Sequence, residues 1–381
     1  MQTGPTRRRG DRGPEVRAIC DCLVTAGDLP GETDDFTAEV EQAVRAFQQR
    51  RGLMVDGIAG PQTLRALDGA RWQLGDRLLV HTPGHLMTGD DVQTLQQRLL
   101  GLGFSCGRAD AVFGARTAAA LRGLQRGVGL RGDGVAGPRT LRALSRLTRS
   151  VSGGAPQALR ETDRLRVAGP NLAGRLVVLD PGHSATDPGA RVGDLVEADL
   201  TLDLARRIEG RLVVAGVRVV LTRGLTGDPG QEERADLANT LDADLLMSLH
   251  CEALPGAPQA NGVASFFYGH VDAGPSAWSV TGERLATLVQ SEIVARNDLL
   301  DCRAHPRSWD LLRRTQMPAV RVEVGHLTHP GDARRLADPA FRDTVAEAIV
   351  VAIQRTYLPR EQDATTGTLR IADVMAQARH G

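Results

Sequence analysis

The segment Leu176-Val-Val-Leu-Asp-Pro-Gly-His183 decides how the second half of the chain is interpreted. Its first four residues, which precede Asp180, are apolar and two of them are β-branched, which is typical of a short buried strand. The Pro-Gly pair that follows predicts a loop, so His183 is expected just beyond the carboxyl end of that strand. Functional sites of α/β proteins are usually built at this edge of the sheet.

The rest of this half alternates predicted strands with predicted helices. Further strands are expected at 217–222, 244–249 and 319–324, and amphipathic helices at 200–214 and 231–241. This alternation predicts an α/β domain over residues 173–359, with a central, mostly parallel sheet flanked by helices.

Three residues join His183 at comparable positions. Glu197 stands at the entry to a predicted helix, His250 closes a predicted strand and Glu323 lies within another. Two imidazoles and one carboxylate, with a fourth position left for water, form the ligand set expected of a hydrolytic zinc site. Zinc polarises a scissile carbonyl and lowers the pKa of its water towards about 7. We expect Glu323 to take the proton of that water and pass it to the leaving nitrogen.

Six segments in this half carry a family resemblance. They are D-P-G-H at 180–183, E-A-D-L-T-L-D-L-A at 197–205, L-T-R at 221–223, E-R-x-x-x-A-N at 233–239, D-A-D-L-L-M-S-L-H at 242–250 and M-P-A-V-R-V-E-V-G at 317–325. In this order they resemble the type 3 N-acetylmuramoyl-L-alanine amidases, zinc enzymes that cleave peptidoglycan between the muramic acid lactyl group and L-alanine. The resemblance implies His183, Glu197 and His250 as zinc ligands and Glu323 as the catalytic glutamate.

Some residues depart from the family pattern or match no motif. Ser184 replaces a usual glycine, and we expect its Cβ to narrow the approach of the substrate. Glu252 replaces a usual asparagine and is expected to compete as a ligand or to repel an anionic muropeptide. Asp187 is a candidate hydrogen-bond partner of His183. Residues expected at the surface, beside the site or in the core rather than in it are His270, His305, His326, His329, Trp72, Trp278 and Trp309.

The first half contains an internal repeat. Gly57, Gly60, Pro61 and Thr63 recur 77 residues later, as Gly134, Gly137, Pro138 and Thr140. Each copy predicts three short helices, the last of which begins at its proline. The copies, at 10–72 and 86–148, resemble the peptidoglycan-binding repeats of cell-wall hydrolases. A helical spacer or a protein-docking module with the same core remains open as an alternative. Copy one lacks the turn that copy two has at 112–114, since residues 31–35 replace it.

The remaining segments are a predicted linker at 149–172 and a polar tail at 360–381. The tail carries Thr365, Thr366 and Thr368, where a Ser/Thr kinase could add negative charge. The 46 basic and 46 acidic residues balance, which gives no electrostatic reason to expect nucleic acid as a partner.

Cysteine usage and hydropathy bear on location. The five cysteines are irregularly spaced and predict reduced thiols. We find neither a signal-peptide pattern nor an apolar run of about 18 residues, and therefore expect no membrane span and a cytoplasmic location. Export to the cell wall by a non-standard route is the alternative.

Two functions follow from these observations. The first is an amidase acting on peptidoglycan or muropeptides. The second is a cytoplasmic regulator that uses a weakly active or inactive amidase fold to bind an enzyme of peptidoglycan precursor synthesis. The absent export signal, the substituted loops and the threonine-containing tail motivate the second hypothesis.

Overall fold

The helices of the first half follow the repeat. Our computed structural model describes residues 6–150, 161–163, 165, 169–254, 256–269, 278–359, 363, 365–370 and 372–373. The bounds in copy one are α1 (Pro14–Thr25), α2 (Ala38–Arg50) and α3 (Pro61–Ala70), and those in copy two are α4 (Asp90–Gly101), α5 (Ala115–Gly127) and α6 (Pro138–Ser150). The predicted helices are all present, and the last one of each copy begins at its proline.

A buried glutamine organises the turn before the last helix of each copy. The Gln48 amide donates to the Asp56 carboxylate, the Ile58 carbonyl and the Thr63 hydroxyl over 2.8–3.0 Å. Its Oε1 accepts from the backbone N–H of Gly57 at 2.9 Å. Gln125 makes the corresponding four bonds in copy two. The repeated Asp-Gly pair therefore closes a turn around a buried amide whose polar atoms are all satisfied.

Copy two contains a second buried glutamine, Gln96, that makes the same kinds of hydrogen bond. The Gln96 amide donates to Asp110, to the Val112 carbonyl and to Thr117. In α1 the position that corresponds to Gln96 is Cys20, which is fully buried. A thiol cannot make these bonds. The turn at 112–114 nevertheless has a counterpart at 35–37, because the backbone N–H of Thr37 donates to the Asp35 carbonyl at 2.9 Å, as that of Gly114 does to Val112, and Phe36 is buried as Phe113 is. The prediction that residues 31–35 replace this turn is therefore wrong.

The second half contains the predicted sheet. Its strands are β1 (Leu176–Pro181), β4 (Arg218–Leu221), β5 (Leu245–Glu252), β6 (Val263–Tyr268), β7 (Asp301–Arg307) and β8 (Ala319–His326), in the order β4-β1-β5-β8-β6-β7. β4, β1, β5 and β8 are mutually parallel, and β6 pairs antiparallel with β8. The mostly parallel sheet is thus confirmed. A short hairpin, β2 (Arg191–Val192) and β3 (Leu195–Val196), follows β1.

The helices of this half form two groups. Their bounds are α7 (Glu197–Val214), α8 (Gln231–Thr240), α9 (Val280–Arg296), α10 (Asp310–Arg314), α11 (Pro330–Ala337) and α12 (Pro339–Tyr357). α7, α9 and α12 pack together over the sheet, whereas α8 packs against α10. No helix in the part of the chain that the structure describes is long and apolar enough to cross a bilayer.

Parts of the predicted linker and tail join the core of this domain. Leu172, at the end of the linker, is 2% exposed and belongs to the main hydrophobic cluster, against which Leu369 of the tail also packs. Arg355 on α12 pairs with Asp363 of the tail at 2.7 Å. The chain divides into two units, one of which contains 1–157, 269–277 and 307–309, and the other 158–268, 278–306 and 310–381.

Candidate metal centre

The sheet brings the predicted site residues to one edge. β1 and β5 are parallel neighbours, with Pro181 opposite Leu249, so the loop that carries His183 begins beside His250. β5 and β8 are also parallel, and Glu323 lies directly opposite His250 in their register. Because the carboxyl ends of parallel strands meet at the same edge, residues far apart in sequence come together here.

Glu197, the first residue of α7, joins the two histidines. Its Oε2 lies 3.2 Å from His183 Nε2, and its Oε1 lies 3.0 Å from His250 Nδ1. The two imidazole centroids are 5.2 Å apart. One ligand atom from each of the three side chains lies within 4.8 Å of the others, the spacing of a group that could hold one metal ion. Glu323 is not part of this group, although all four residues are described.

The electrostatics of His250 and Glu197 suit a metal site. At His183, burial alone would lower the pKa, but Glu197 and Asp187 raise it above its ordinary value. Burial, together with the charge of Arg321, lowers the pKa of His250 to about 4, so this imidazole is neutral near pH 7. Burial alone would raise the pKa of Glu197, but hydrogen bonds with both histidines hold it well below its ordinary value. A neutral imidazole and an ionised carboxylate are the forms that bind metals.

Two glycines leave room for the ligands. A Cβ at Gly182 would lie 2.4 Å from Cε1 of His250. A Cβ at Gly189 would lie 2.6 Å from both Glu197 Oε2 and His183 Cδ2, and Gly189 has φ of +67°. The loop therefore closes so tightly over the three side chains that it has no space for a methyl group at either position.

Two buried arginines hold the loop after β1 by donating hydrogen bonds to its backbone carbonyls. Arg223 donates to the carbonyl of Pro181 at 3.0 Å and to that of Gly182 at 2.7 Å. Arg234 donates to the carbonyl of His183 at 2.8 Å and pairs at 2.6 Å with Asp180, which is fully buried. Both residues lie within the family-like segments L-T-R and E-R-x-x-x-A-N, but the sequence pattern alone indicates no role for them. Their buried charges position the loop that carries His183.

Asp180 completes this support. It accepts hydrogen bonds from the hydroxyls of Thr222 and Ser248, both at 2.6 Å. Burial alone would raise the pKa of Asp180, but Arg234 and these hydroxyls hold it below its ordinary value. An ionised Asp180 thus joins β1 to β4, β5 and α8 directly beneath the site.

The loop between β1 and β2 confirms one expectation and corrects another. Asp187 Oδ2 lies 2.9 Å from His183 Nδ1, the predicted hydrogen bond, which orients the ring so that Nε2 faces Glu197. Ser184 does not narrow the approach to the site, because it is 1% exposed and donates to Asp228 at 2.5 Å. Its hydroxyl instead stabilises the loop.

Glu323 lies in a different environment from Glu197. It is 7% exposed, and Arg321, two residues earlier on the same face of β8, donates to its Oε1 at 3.0 Å. Burial raises the pKa of Glu323 to about 6 against the opposing charge of Arg321, and Glu252 raises it further. Glu252 is half-buried at the end of β5 and is not in the three-residue ligand group.

The other residues without a motif role lie elsewhere. His329 caps α11, His305 bonds the Cys302 carbonyl and Trp309 is buried. His270 lies outside the described residues.

Two families match separate parts of the chain. The N-acetylmuramoyl-L-alanine amidase family model matches residues 177–355. The peptidoglycan binding domain model matches residues 12–67 and 88–144. The first match contains all four site residues, and the second corresponds to the two helical repeats.

Two relatives and one solved structure resemble this chain. The N-acetylmuramoyl-L-alanine amidase CwlM of Mycobacterium tuberculosis is 44% identical over 390 residues, covering 98% of this chain and 95% of that protein. The germination-specific amidase of Bacillus subtilis is 31% identical over 202 residues, or 49% of this chain and 81% of that protein. The solved structure of AmiC2 of Nostoc punctiforme is 30% identical with a TM-score of 0.43, covering 48% of this chain and 96% of that one. The chain belongs to the N-acetylmuramoyl-L-alanine amidase family.

Proposed function

We propose that this protein is a zinc-dependent amidase that hydrolyses the amide bond between the muramic acid lactyl group and L-alanine, in peptidoglycan or its soluble fragments. The observation that carries the proposal is the clustering of His183, Glu197 and His250 within 4.8 Å, with Glu323 opposite His250 on the next strand. The family to which the chain belongs supports the choice of bond.

The donor set fits zinc. Two imidazoles and one carboxylate provide three ligands and leave one position for the reaction, as in other hydrolytic zinc sites. Gly182 and Gly189 leave room for them, and Asp187 holds the His183 ring in place. Zinc bound by these side chains would supply Lewis acidity at the scissile amide.

Glu323 is suited to the proton transfers of amide hydrolysis. A general base is most effective when its pKa is close to the working pH, and burial raises the pKa of Glu323 to about 6. Ionised, it accepts a proton from the attacking water; protonated, it donates that proton to the departing nitrogen. The hydrogen bond from Arg321 orients the carboxylate between these two steps.

The repeats would hold the substrate. The peptidoglycan binding domain match to both copies supports a role in keeping the polymer or its fragments near the second unit.

Hydrolysis is tested with the purified full-length protein, muropeptides and added zinc, by measuring newly exposed L-alanine amino groups. Glu323→Gln removes the base and keeps the shape of the side chain, so we expect turnover to fall at least 100-fold with zinc content unchanged. Glu209→Gln is the control for the change from glutamate to glutamine. Glu209 lies on α7, three turns beyond the ligand Glu197, and is therefore outside the site. Full turnover by Glu323→Gln would refute the mechanism, and no turnover by the zinc-loaded parent would refute the activity.

The regulatory hypothesis receives no specific support from the site, because its four residues are all present. Its partners, a precursor-synthesis enzyme and a Ser/Thr kinase acting on the tail, remain predictions. Thr366 accepts a hydrogen bond from Arg355 at 3.0 Å, so a phosphate there would have to displace this contact.

We also propose a cytoplasmic location, in which lipid-linked or recycled muropeptides would be the substrates. The proposal is supported by the irregular spacing of the five cysteines, which favours reduced thiols and a reducing compartment. Fractionation of cells followed by immunodetection tests it, and recovery of the protein in the wall fraction would refute it.

A further inference from the structure

A groove of about 720 Å³ lies between the two repeats, within the unit that contains both. Its walls are formed by the carboxyl ends of α1, α2 and α3 and by one side of α4. Trp72 and Leu74 line it and come from the connector, residues 68–87, which neither peptidoglycan binding match includes.

α4 presents a polar face to the groove. The α4 residues that line it are Asp90, Gln93, Thr94, Gln97 and Arg98, at spacings of three or four, which place them on one face of the helix. Val92, Leu95 and Leu99 on the other side of α4 are fully buried in the core of copy two. These apolar side chains anchor the helix, so that its opposite side turns the Thr94 hydroxyl, the Gln97 amide and the Arg98 guanidinium towards the groove.

Trp72 is held rigidly at the groove wall. The guanidinium of Arg77 lies 4.5 Å from the indole centre and is fixed by Asp91 at 2.7 Å. Trp72 lines the groove, whereas Arg77 does not. A flat, preorganised aromatic ring of this kind can stack on the C–H face of a sugar at a small entropic cost.

The groove carries an excess of positive charge. Its charged lining residues are Arg50, Arg51, Arg98 and Asp90. Arg50 is paired with Asp28, and Arg51 with Asp90 at 2.6 Å. Arg98 forms no ion pair with any residue that the structure describes, although it is half-buried. This guanidinium can donate charge-assisted hydrogen bonds to a carboxylate of a ligand.

We infer that the groove between the repeats binds an anionic muropeptide, with a carboxylate of its stem peptide at Arg98 and a sugar ring on Trp72. The site belongs to the pair of repeats and to their connector rather than to either repeat alone. The choice of ligand rests on the proposed function, whereas the site itself rests on the geometry of the groove.

Calorimetry on the full-length Glu323→Gln protein tests the inference without hydrolysis. The probe is the disaccharide tripeptide that a muramidase releases from peptidoglycan. Arg98→Ala is expected to weaken binding at least tenfold, because a charge-assisted hydrogen bond is lost, and Arg98→Lys to weaken it less. Trp72→Ala should weaken binding comparably. Arg139→Ala, an exposed arginine on α6 outside the groove, is the matched control and should bind within twofold of the parent.

An uncharged disaccharide of N-acetylglucosamine separates the two contacts. Its binding should be sensitive to Trp72→Ala but indifferent to Arg98→Ala, since it carries no carboxylate. Thermal unfolding of each variant checks that the repeats remain folded; should Trp72→Ala unfold, Arg98→Ala and Arg98→Lys carry the test.

Equal binding of the tripeptide probe by Arg98→Ala and Arg139→Ala would overturn the inference, as would absence of binding by the parent. Both results leave the hydrolysis assay unaffected. Conversely, Arg98-dependent binding combined with no hydrolysis by the zinc-loaded wild-type protein would refute the proposed activity and support the groove.

Discussion

A single methyl group at Gly182 tests whether the loop after β1 and His250 form one site. In Gly182→Ala the new Cβ would lie 2.4 Å from Cε1 of His250, 2.5 Å from Nδ1 and 2.7 Å from Nε2. Ordinary contacts of a Cβ begin at 3.4 Å, so the ring or the loop must move by about 1 Å. The backbone at Gly182 is not in the left-handed region, so the effect is due to contact alone.

We expect the new methyl group to displace the imidazole ring of His250 and to leave the loop in place. Arg223 and Arg234 hold the carbonyls of the loop, and His250 is within the paired strand β5. Overpacking of this kind costs about 1–3 kcal/mol. Losing a partner that merely orients a metal ligand lowers affinity about 10–100-fold, so displacing the ligand itself should lower zinc affinity by at least about 100-fold.

Zinc affinity is measured by competition with a chromogenic chelator. Gly210→Ala is the matched control, because Gly210 lies within α7 and a Cβ there meets nothing within 4 Å. We expect Gly210→Ala to bind zinc normally and to be more stable by about 0.5–1 kcal/mol, since alanine favours helix. If Gly182→Ala titrated like Gly210→Ala, the proposed role of His250 as a ligand would be wrong.

Three further predictions concern the base, the loop and the repeats. A general base acts when it is ionised, and burial raises the pKa of Glu323 to about 6. The value of kcat/KM should therefore be maintained above pH 6 and lost as the pH falls through it. An acid limb of the pH profile that is unchanged in an Arg321→Met variant would argue against Glu323 as the base. Asp187→Asn should lower zinc affinity about 10–100-fold by weakening the bond to His183, as chelator competition would show. Gln125→Leu leaves buried polar groups without partners and should destabilise the repeats by about 3 kcal/mol in urea unfolding, whereas the exposed Gln42→Leu should change stability by less than about 0.5 kcal/mol.

The sequence was most informative where side-chain pattern and strand position coincide. The strand at 176–180 and the histidine after it could be identified because β-branched residues, a Pro-Gly loop and a polar side chain follow one another within eight positions. The same logic predicted that His250 closes its strand, whereas β5 continues to Glu252. Parallel pairing then brought these residues together, as the alternation of strands and helices had indicated.

The helices α9 and α12 were not predicted. Residues 348–357 are buried without interruption, so the end of α12 shows no alternation between an apolar and a polar side. A continuous apolar run of this kind does not distinguish a buried helix from a buried strand. The prediction failed because burial on every side removes the periodicity on which it depends.

The support of the metal centre could not have been predicted either. Arg223 and Arg234 act on backbone carbonyls, which every residue has, so nothing in the sequence identifies their partners. Their presence in the L-T-R and E-R-x-x-x-A-N segments was a signal, but it did not indicate their role. Only the three-dimensional course of the loop after β1 shows that these charges hold it.

The two repeats are similar in sequence but not equivalent at the groove. The α1 positions that correspond to Gln97 and Arg98 are Asp21 and Cys22, an acidic residue and a buried thiol. α1 therefore cannot present the cationic face that α4 presents, and the repeat cannot build a second groove of this kind. Since the groove also requires Trp72 from the connector, we expect one muropeptide per pair of repeats. Two equivalent sites per pair in calorimetry would show that each repeat binds independently and that the connector is only a spacer.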